Sequence, residues 1–424
     1  MRARSAAHIV PGMTFHTAHG PRLMVLRAAA MFDGVSSSLT AAPSVLVADG
    51  RIAAVRDPGE PLPAGVQVID LPGLTLMPGL IDAHMHLCFD ASDDPVGHLA
   101  GMGDDVLRQQ MADAARRALR AGVTTVRDLG DRGYLALDLR DGGSGDDLLP
   151  TILAAGPPIT TPGGHCHFLG GAASGIRGVR AAVRERAERG VDVIKVMASG
   201  GNLTPGSLPH EPQFGAESLR AIVDEAHRQG LPVTAHAHWP RSIADAVTAG
   251  ADGIEHASFM TADGVDAPET VITAIARRRT AVGWTVGREP GPHVSPFPAI
   301  ASRITEMIAC RRRLYESGAV LVAGSDAGVS PAKPHDVLRF AADDLAAAGM
   351  SPAEALWAMT SRAAQACGVG HRKGRIAVGF DADILAIDGN PLEDLAAVRR
   401  LRAVYSGGLP VAPAPDAPAG VAVH

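Results

Sequence analysis

A chain of 424 residues with 46% apolar and 20% charged side chains can bury a large core, which excludes a disordered or low-complexity protein. Its formal net charge of -6 is dispersed, so there is no basic footprint for nucleic acid and no polybasic membrane patch. No run of about 18 apolar residues is present to cross a bilayer. The expected partners are therefore a small-molecule substrate and, at most, further copies of the same chain.

Length alone allows about two or three domains, or a barrel of roughly 250 residues with a small accessory domain. Cys88, Cys166, Cys310 and Cys367 are far apart and form no CxxC pair, so a reduced interior is expected. The N-terminus has early arginines but no apolar h-region, which points to the cytoplasm.

Residues 1–21 read as a flexible lead. Short apolar runs follow at Leu23–Arg27, Ser44–Val47 and Arg51–Val55, separated by the turn signals Asp49-Gly50 and Asp57-Pro58-Gly59. The same texture returns at Gly374–Val378, Ala382–Ile387 and Ala403–Gly407. Residues 22–76 and 372–410 are expected to pair into one composite β-sandwich, and the Pro/Ala-rich residues 411–424 to form a disordered tail.

Between the two ends, residues 77–371 alternate strand and helix. Strand candidates end near His86, Asp128, Pro157, Lys195, His236, His256, Trp284 and Asp326. Helical stretches intervene, among them Ala112–Ala121, Val179–Arg189, Ala216–Arg228 and Ile300–Ser317. Several carry the glycine expected just past a helix end, as at Gly122, Gly190, Gly230, Gly250 and Gly318. The fold class expected is α/β, a (β/α)8 TIM barrel with its chemistry at the C-terminal ends of the strands.

The polar residues that end these strands carry the chemistry. His84 and His86 lie at i and i+2 of one strand, so both rings point to the same side and can grip one metal ion. An isolated HxH is more often a solvated or core pair; here the preceding strand is apolar and Asp82 lies close by in sequence. Lys195 sits among apolar neighbours in Val193-Ile194-Lys195-Val196-Met197. An edge lysine would snorkel outwards, but a buried ammonium is costly and can shed its proton. The neutral amine can then add carbon dioxide and become a carbamate that bridges two cations. His236 and His256 end consecutive strands and would bind a second ion. Asp326, in Gly324-Ser325-Asp326-Ala327-Gly328, ends the eighth strand.

Four imidazoles, a bridging anion and a carboxylate suit two divalent ions, zinc first, with manganese or cobalt as substitutes. Such a pair shares a water and lowers its pKa, and Asp326 can take the proton and pass it to the leaving group. His238, two residues beyond His236, either acts on substrate or lines the rim. The loop 160–171 is Gly-rich without matching a phosphate loop. His165 on it is either part of a plain rim loop or a donor to substrate. Asn202, after Ser199-Gly200-Gly201, faces the approach to the site. Arg288 is either a surface arginine or a contact for a substrate carboxylate. Phe168, Leu169 and Trp239 are expected to accommodate an apolar substrate group.

The motifs MPGLIDAHMHL, AGVTTVRDLG, VDVIKVMASGG, TAHAH, GIEHAS, GSDAG, SPAEALWAMTSRAAQACGV and GRIAVGFDADILAIDGNPL together resemble the amidohydrolase superfamily, from about Leu23 to Gly408. Within it the chain is most similar to the imidazolonepropionase-like branch that includes prolidase-like and ochratoxinase-like binuclear hydrolases. The resemblance implies that His84, His86 and Asp326 hold one metal, that His236 and His256 hold the other, and that carboxylated Lys195 bridges them. It also exposes two departures. Imidazolonepropionase-type enzymes carry a glutamate three residues after the fifth-strand histidine, where this chain has Trp239. Dipeptidase-like members often carry a tyrosine two residues after it, where this chain has His238.

The function expected is hydrolysis of an amide C–N bond in a small molecule such as a dipeptide or N-acyl amino acid. The alternative on the same centre is a hydrolase of carbamates, ureas or cyclic amides and lactones. A silent scaffold is disfavoured by the intact ligand set, and a deaminase by Trp239.

Overall fold

A computed structural model of the chain describes residues 23–142, 148–291 and 302–412. The expected lead at 1–21 lies outside the described residues, as do residues 413–424 of the expected tail.

The two chain ends meet in one mixed sheet. Its strands are β1 (Leu23–Met31), β2 (Thr40–Ala41), β3 (Ser44–Ala48), β4 (Arg51–Arg56) and β5 (Gln67–Pro78), with three more from the C-terminal end. Asp49 and Gly50, at φ of 48° and 78°, form the two-residue turn between β3 and β4. Positive φ at both positions is the turn geometry that suits a twisted hairpin.

The parallel strands follow directly. They are β6 (Leu80–Met85), β7 (Val123–Asp128), β8 (Thr151–Ala154), β9 (Ile194–Met197), β10 (Val233–Ala237), β11 (Gly253–His256), β12 (Ala281–Thr285) and β13 (Val320–Gly324). Then β14 (Ile384–Asp388), β15 (Leu401–Ser406) and β16 (Leu409–Val411) return to the terminal sheet. That sheet runs β16-β15-β14-β5-β1-β3-β4, with β2 on β1.

Two expectations for the terminal segments need correction, at Gly374–Val378 and at Val411. Hydrogen bonding joins the strands of both ends along one continuous path. The cause is β5, a strand of 12 residues. It pairs with β1 from Gln67 to Leu76 and with β14 from Leu74 to Pro78, so it spans both halves. Gly374–Val378 is a turn, with Gly374 at φ 81° and the Ile376 amide donating to the Asp33 carbonyl at 3.0 Å. The C-terminal strand continues through Val411, where a tail was expected.

The eight parallel strands lie where the apolar runs place them. They form a three-stranded sheet β6-β7-β8 and a five-stranded sheet β9 to β13, each in chain order. Parallel bridges Ile159↔Val196 and Met85↔Ala327 join the two sheets at both seams.

The helices are α1 (Pro95–Gly101), α2 (Asp104–Arg120), α3 (Leu135–Gly142), α4 (Gly175–Arg189), α5 (Ala216–Arg228), α6 (Pro240–Ala249) and α7 (Glu269–Arg278). After residues 292–301, which are not described, come α8 (Ile304–Glu316), α9 (Ala341–Ala347), α10 (Pro352–Ala358) and α11 (Ser361–Ala366). Gly190 and Gly250 end α4 and α6 in the left-handed conformation, as expected from their positions. Among the described residues, no helix is long and apolar enough to cross a membrane.

The core of the parallel strands reaches into the terminal sheet. Phe32, just past β1, is fully buried in the same apolar cluster as Leu80, Val123 and Ile387. Its amide also donates to the Leu76 carbonyl at 2.8 Å. Phe32→Ala is expected to cost about 3–5 kcal/mol, read as a lower Tm in calorimetry. An unchanged Tm would mean that this ring does not fasten the two layers together.

Candidate metal centre

Most side chains of the site stand at or just beyond the C-terminal end of a parallel strand, with Lys195 inside β9 and His165 in the loop after β8. On β6, the His84 Nδ1–H donates to Glu255 Oε2 at 3.0 Å. Two residues later, just past the strand end, the His86 Nδ1–H donates to the Gly130 carbonyl at 3.1 Å. Both rings therefore keep the Nε2 lone pair, and both aim it at one carboxylate. Asp326 Oδ1 lies 3.5 Å from His84 Nε2 and 3.6 Å from His86 Nε2.

The approach is held by the backbone at the seam between β6 and β13. The Asp326 amide donates to the His84 carbonyl at 2.7 Å. Asp82 Oδ1 accepts from the amides of His84, at 3.1 Å, and Ser325, at 2.9 Å. Asp82 is thus a clamp between strand ends. Asp326 itself adopts a φ of 57°, a conformation a non-glycine residue takes at a cost and keeps only where the surroundings enforce it.

A second group forms beside the first. The ligand-capable atoms of His236, His238 and His256 lie within 4.8 Å of one another. His236 Nε2–H donates to the Gly200 carbonyl at 3.0 Å, and His238 Nδ1 shares a 2.7 Å bond with Ser258 Oγ. His256, at φ 69°, is turned back towards the group at the end of β11. Between the groups, the Lys195 Nζ sits 3.5 Å from His84 Nε2.

Burial sets the protonation states. It pushes His84 and His238 down to about 4 and His165 to about 3, and holds His236 and His256 well below the usual imidazole value. Burial also pulls Lys195 down to about 8. Neutral imidazoles are what a metal requires.

The donor set passes a direct test for a cation. Three lone-pair atoms converge at His84, His86 and Asp326, while the ring protons of both histidines are spent on Glu255 and Gly130. Lone pairs so placed repel one another unless a positive ion lies among them.

Ten of the thirteen residues expected to form the site come together. His84, His86, His165, Lys195, Asn202, His236, His238, His256, Arg288 and Asp326 line one cavity of about 270 Å³. One exception is Trp239. It starts α6, accepting from the Ile243 amide at 3.0 Å, and the helix start carries it away from the cavity that His236 and His238 face. Phe168 and Leu169 do not line the cavity either. They sit in a short 3-10 turn where Leu169 is buried in the core and Phe168 meets the edge of Phe89. Phe89, Met197 and Leu203 face the cavity in their place.

Sequence reasoning missed the residues that hold the ligands. Glu255 is fully buried and binds His84, Arg127 Nη2 at 2.9 Å and Thr234 Oγ1 at 2.5 Å. Burial opposes its ionisation, but the Arg127 charge and the hydrogen bond from His84 hold it well below the usual carboxylate range. The signal was available: an acid inside the apolar strand Gly253–His256 that faces away from His256.

Parallel strands with a polar cluster at their C-terminal ends define an α/β enzyme site. The chain belongs to the amidohydrolase family, whose model matches residues 75–410. It is 29% identical to ochratoxinase from Aspergillus niger over 368 residues, covering 78% of this chain and 75% of that protein. It is 26% identical to imidazolonepropionase from Deinococcus deserti over 417 residues, covering 86% of this chain and 94% of that one. The crystal structure of a Xaa-Pro dipeptidase with bound methionine superposes with a TM-score of 0.81 at 27% identity, covering 92% of this chain and 99% of that one. Within that family the chain is thus similar to an ochratoxinase, an imidazolonepropionase and a Xaa-Pro dipeptidase.

Two glycines test the geometry separately. A Cβ at Gly324 would lie 2.5 Å from His84 Cβ and 2.9 Å from its backbone nitrogen. A Cβ at Gly201 would lie 2.4 Å from His165 Nε2. Gly324→Ala is expected to weaken metal retention by about 10–100-fold, as loss of ligand support does. Gly201→Ala should leave the metal content intact and impair turnover. Elemental analysis after dialysis, with folding checked by circular dichroism, reads both.

Proposed function

We propose that this chain is a binuclear metal-dependent hydrolase that cleaves the amide C–N bond of a small molecule such as a dipeptide or N-acyl amino acid. The observation that carries the reading is the pair of ligand groups, with Lys195 beside them, in a single cavity. Family membership supports a C–N hydrolase, and the Xaa-Pro dipeptidase among the similar structures favours the amide. Trp239, at the position where imidazolonepropionase-type enzymes carry glutamate, argues against that activity and against deamination.

In this reading the eight parallel strands, bridged at both seams, form a (β/α)8 barrel over residues 77–371. The two end segments, 22–76 and 372–410, make its accessory β domain. Two divalent ions, zinc first, would be held by His84, His86 and Asp326 and by His236 and His256, with carboxylated Lys195 between them. When bound, they supply Lewis acidity to a carbonyl oxygen and lower the pKa of water.

The chain's own residues do the rest. Asp326 accepts the proton of the attacking water and returns it to the leaving nitrogen. His165 lines the cavity, and its neutral ring carries one N–H that can donate to the substrate carbonyl. His238, anchored through Nδ1 on Ser258, presents its other face to the cavity. Asn202 and Arg288 contact the substrate at the cavity wall. The neutral Lys195 amine adds carbon dioxide, forming an N–C bond and releasing a proton.

Three outcomes are expected. Asp326→Asn should lower turnover by about 10²–10⁴-fold. His165→Asn and His238→Asn should change turnover or KM and keep both metals; loss of an ion from the His238 variant would make it a ligand instead. With its amine at about 8, Lys195 is cationic below that pH and neutral above it. Reactivation of metal-stripped protein by zinc and bicarbonate should therefore speed up as pH rises through about 8, and should fail in Lys195→Ala. A panel of dipeptides and N-acyl amino acids against neutral carbamates and ureas decides the substrate. Turnover of the carbamates or ureas alone would overturn the amide reading.

A further inference from the structure

One wall of the cavity belongs to neither ligand group. Ile304, Met307, Ile308 and Arg311 lie at i, i+3, i+4 and i+7 of α8, which is one helix face, and all four line the cavity. Ile304 and Ile308 remain 47% and 40% exposed. Large apolar side chains left open on the wall of a cavity are suited to an apolar ligand group.

The face ends in a cation placed beside the metal-ligand groups. Arg311 lies over the ring of the buried Trp284, 5.7 Å from its centroid. Its Nη2 donates to the Thr285 carbonyl at 3.3 Å, and it makes no other hydrogen bond among the described residues. The Thr285 hydroxyl in turn lies 3.4 Å from His256 Nδ1. A single residue thus separates the guanidinium from a histidine of the second ligand group.

A second cation comes from the loop after Asp326. Lys333 is placed by a turn in which its amide donates to the Ser330 carbonyl and the Gly328 amide donates to the Lys333 carbonyl, both at 2.8 Å. Its Nζ donates to the Gly287 carbonyl at 2.6 Å, and the side chain lines the cavity. Asp344 lines the cavity on this side as well, and the Gly287 amide donates to it at 2.8 Å. Among the described residues that line this wall, the cations Arg311 and Lys333 stand beside the single carboxylate of Asp344.

We propose that α8 and Lys333 form the specificity wall of the enzyme. Arg311 and Lys333 take the substrate carboxylate next to the reacting bond, and Ile304, Met307 and Ile308 take a large apolar side chain on the carbon that bears it. The inference rests on the amide-hydrolase reading and deepens it. A carboxylate and a side chain on one carbon match a wall whose cation is deep and whose apolar residues lie outward. The preferred leaving group is then an amino acid with a bulky apolar side chain.

The experiment compares N-acetyl-phenylalanine, N-acetyl-alanine and N-acetyl-phenylalanine amide. Binding to the metal-loaded protein is measured by calorimetry and kcat/KM by assay, for the wild type, Arg311→Gln, Arg311→Lys, Lys333→Met and Ile304→Ser/Ile308→Ser. Arg311→Gln and Lys333→Met should each weaken binding of the phenylalanine acid by about tenfold or more and leave the amide little changed. Arg311→Lys should restore part of the loss. The double serine variant changes residues that are already exposed and should fold. It should erase a preference for phenylalanine over alanine of about tenfold or more.

Equal losses for acid and amide, or equal affinity for the phenylalanine and alanine compounds in the wild type, would overturn the assignment of the wall. Hydrolysis of all three compounds with no effect of any variant would overturn it and leave the amide-hydrolase reading standing. Turnover of neutral carbamates or ureas, with none of the three bound or cleaved, would overturn both.

Discussion

The site depends on one buried carboxylate. Glu255 on β11 accepts from His84 on β6, Arg127 on β7 and Thr234 on β10. Arg127 adds a 2.7 Å bond from Nε to the Ala83 carbonyl of β6. A Cβ at Gly283 on β12 would lie 2.0 Å from Glu255 Oε2, so the absent side chain makes the space that the carboxylate occupies. Side chains from four strands, and a space left by a fifth, meet at this group. A charge in such a place is tolerable only when its partners are complete, since a buried ion stripped of one partner costs several kcal/mol. Completing them fixes the tautomer of His84, and with it the direction of Nε2.

Burial does the second part of the work. The imidazoles of the two ligand groups crowd together, with ring centroids 4.6 Å apart for His236, His238 and His256 taken in pairs. Were they charged, this packing would be repulsive. The low dielectric around them keeps them neutral, and the same low dielectric brings Lys195 towards neutrality. The backbone contributes strain at the same place, with positive φ at His256, Ala257 and Asp326. Such residues cluster where a fold holds side chains at a functional position against local preference.

The cavity therefore has two chemically distinct sides. One is built from strand ends and offers lone pairs; the other is built from α8 and the loops after β12 and β13, and offers apolar surface and positive charge. The first is tied into the sheet by Glu255 and Asp82, and family membership gives it meaning. The second is assembled from a helix and loops, the parts of an α/β enzyme that vary most readily without disturbing the strands.

Local pattern decided a good deal of this protein. Apolar runs placed the eight parallel strands, Asp49-Gly50 placed a hairpin, and the alternation of His84 with His86 put two ligands on one side. These features depend on neighbours within a few residues, so a sequence displays them. The ordered set of Lys195, His236, His256 and Asp326 was legible for the same reason, because each residue ends its own apolar run. What only the tertiary structure decided involves partners far apart in the chain. Glu255 and His84 are separated by 171 positions, and the sequence alone gives an acid and a histidine no reason to meet. Trp239 looked like a wall residue from its place beside His238, until the start of α6 turned it aside. The stripe from Ile304 to Arg311 has a readable helical period, but that period cannot say whether the face meets core, solvent or a cavity. That choice follows from how the elements pack, which is a property of the whole chain.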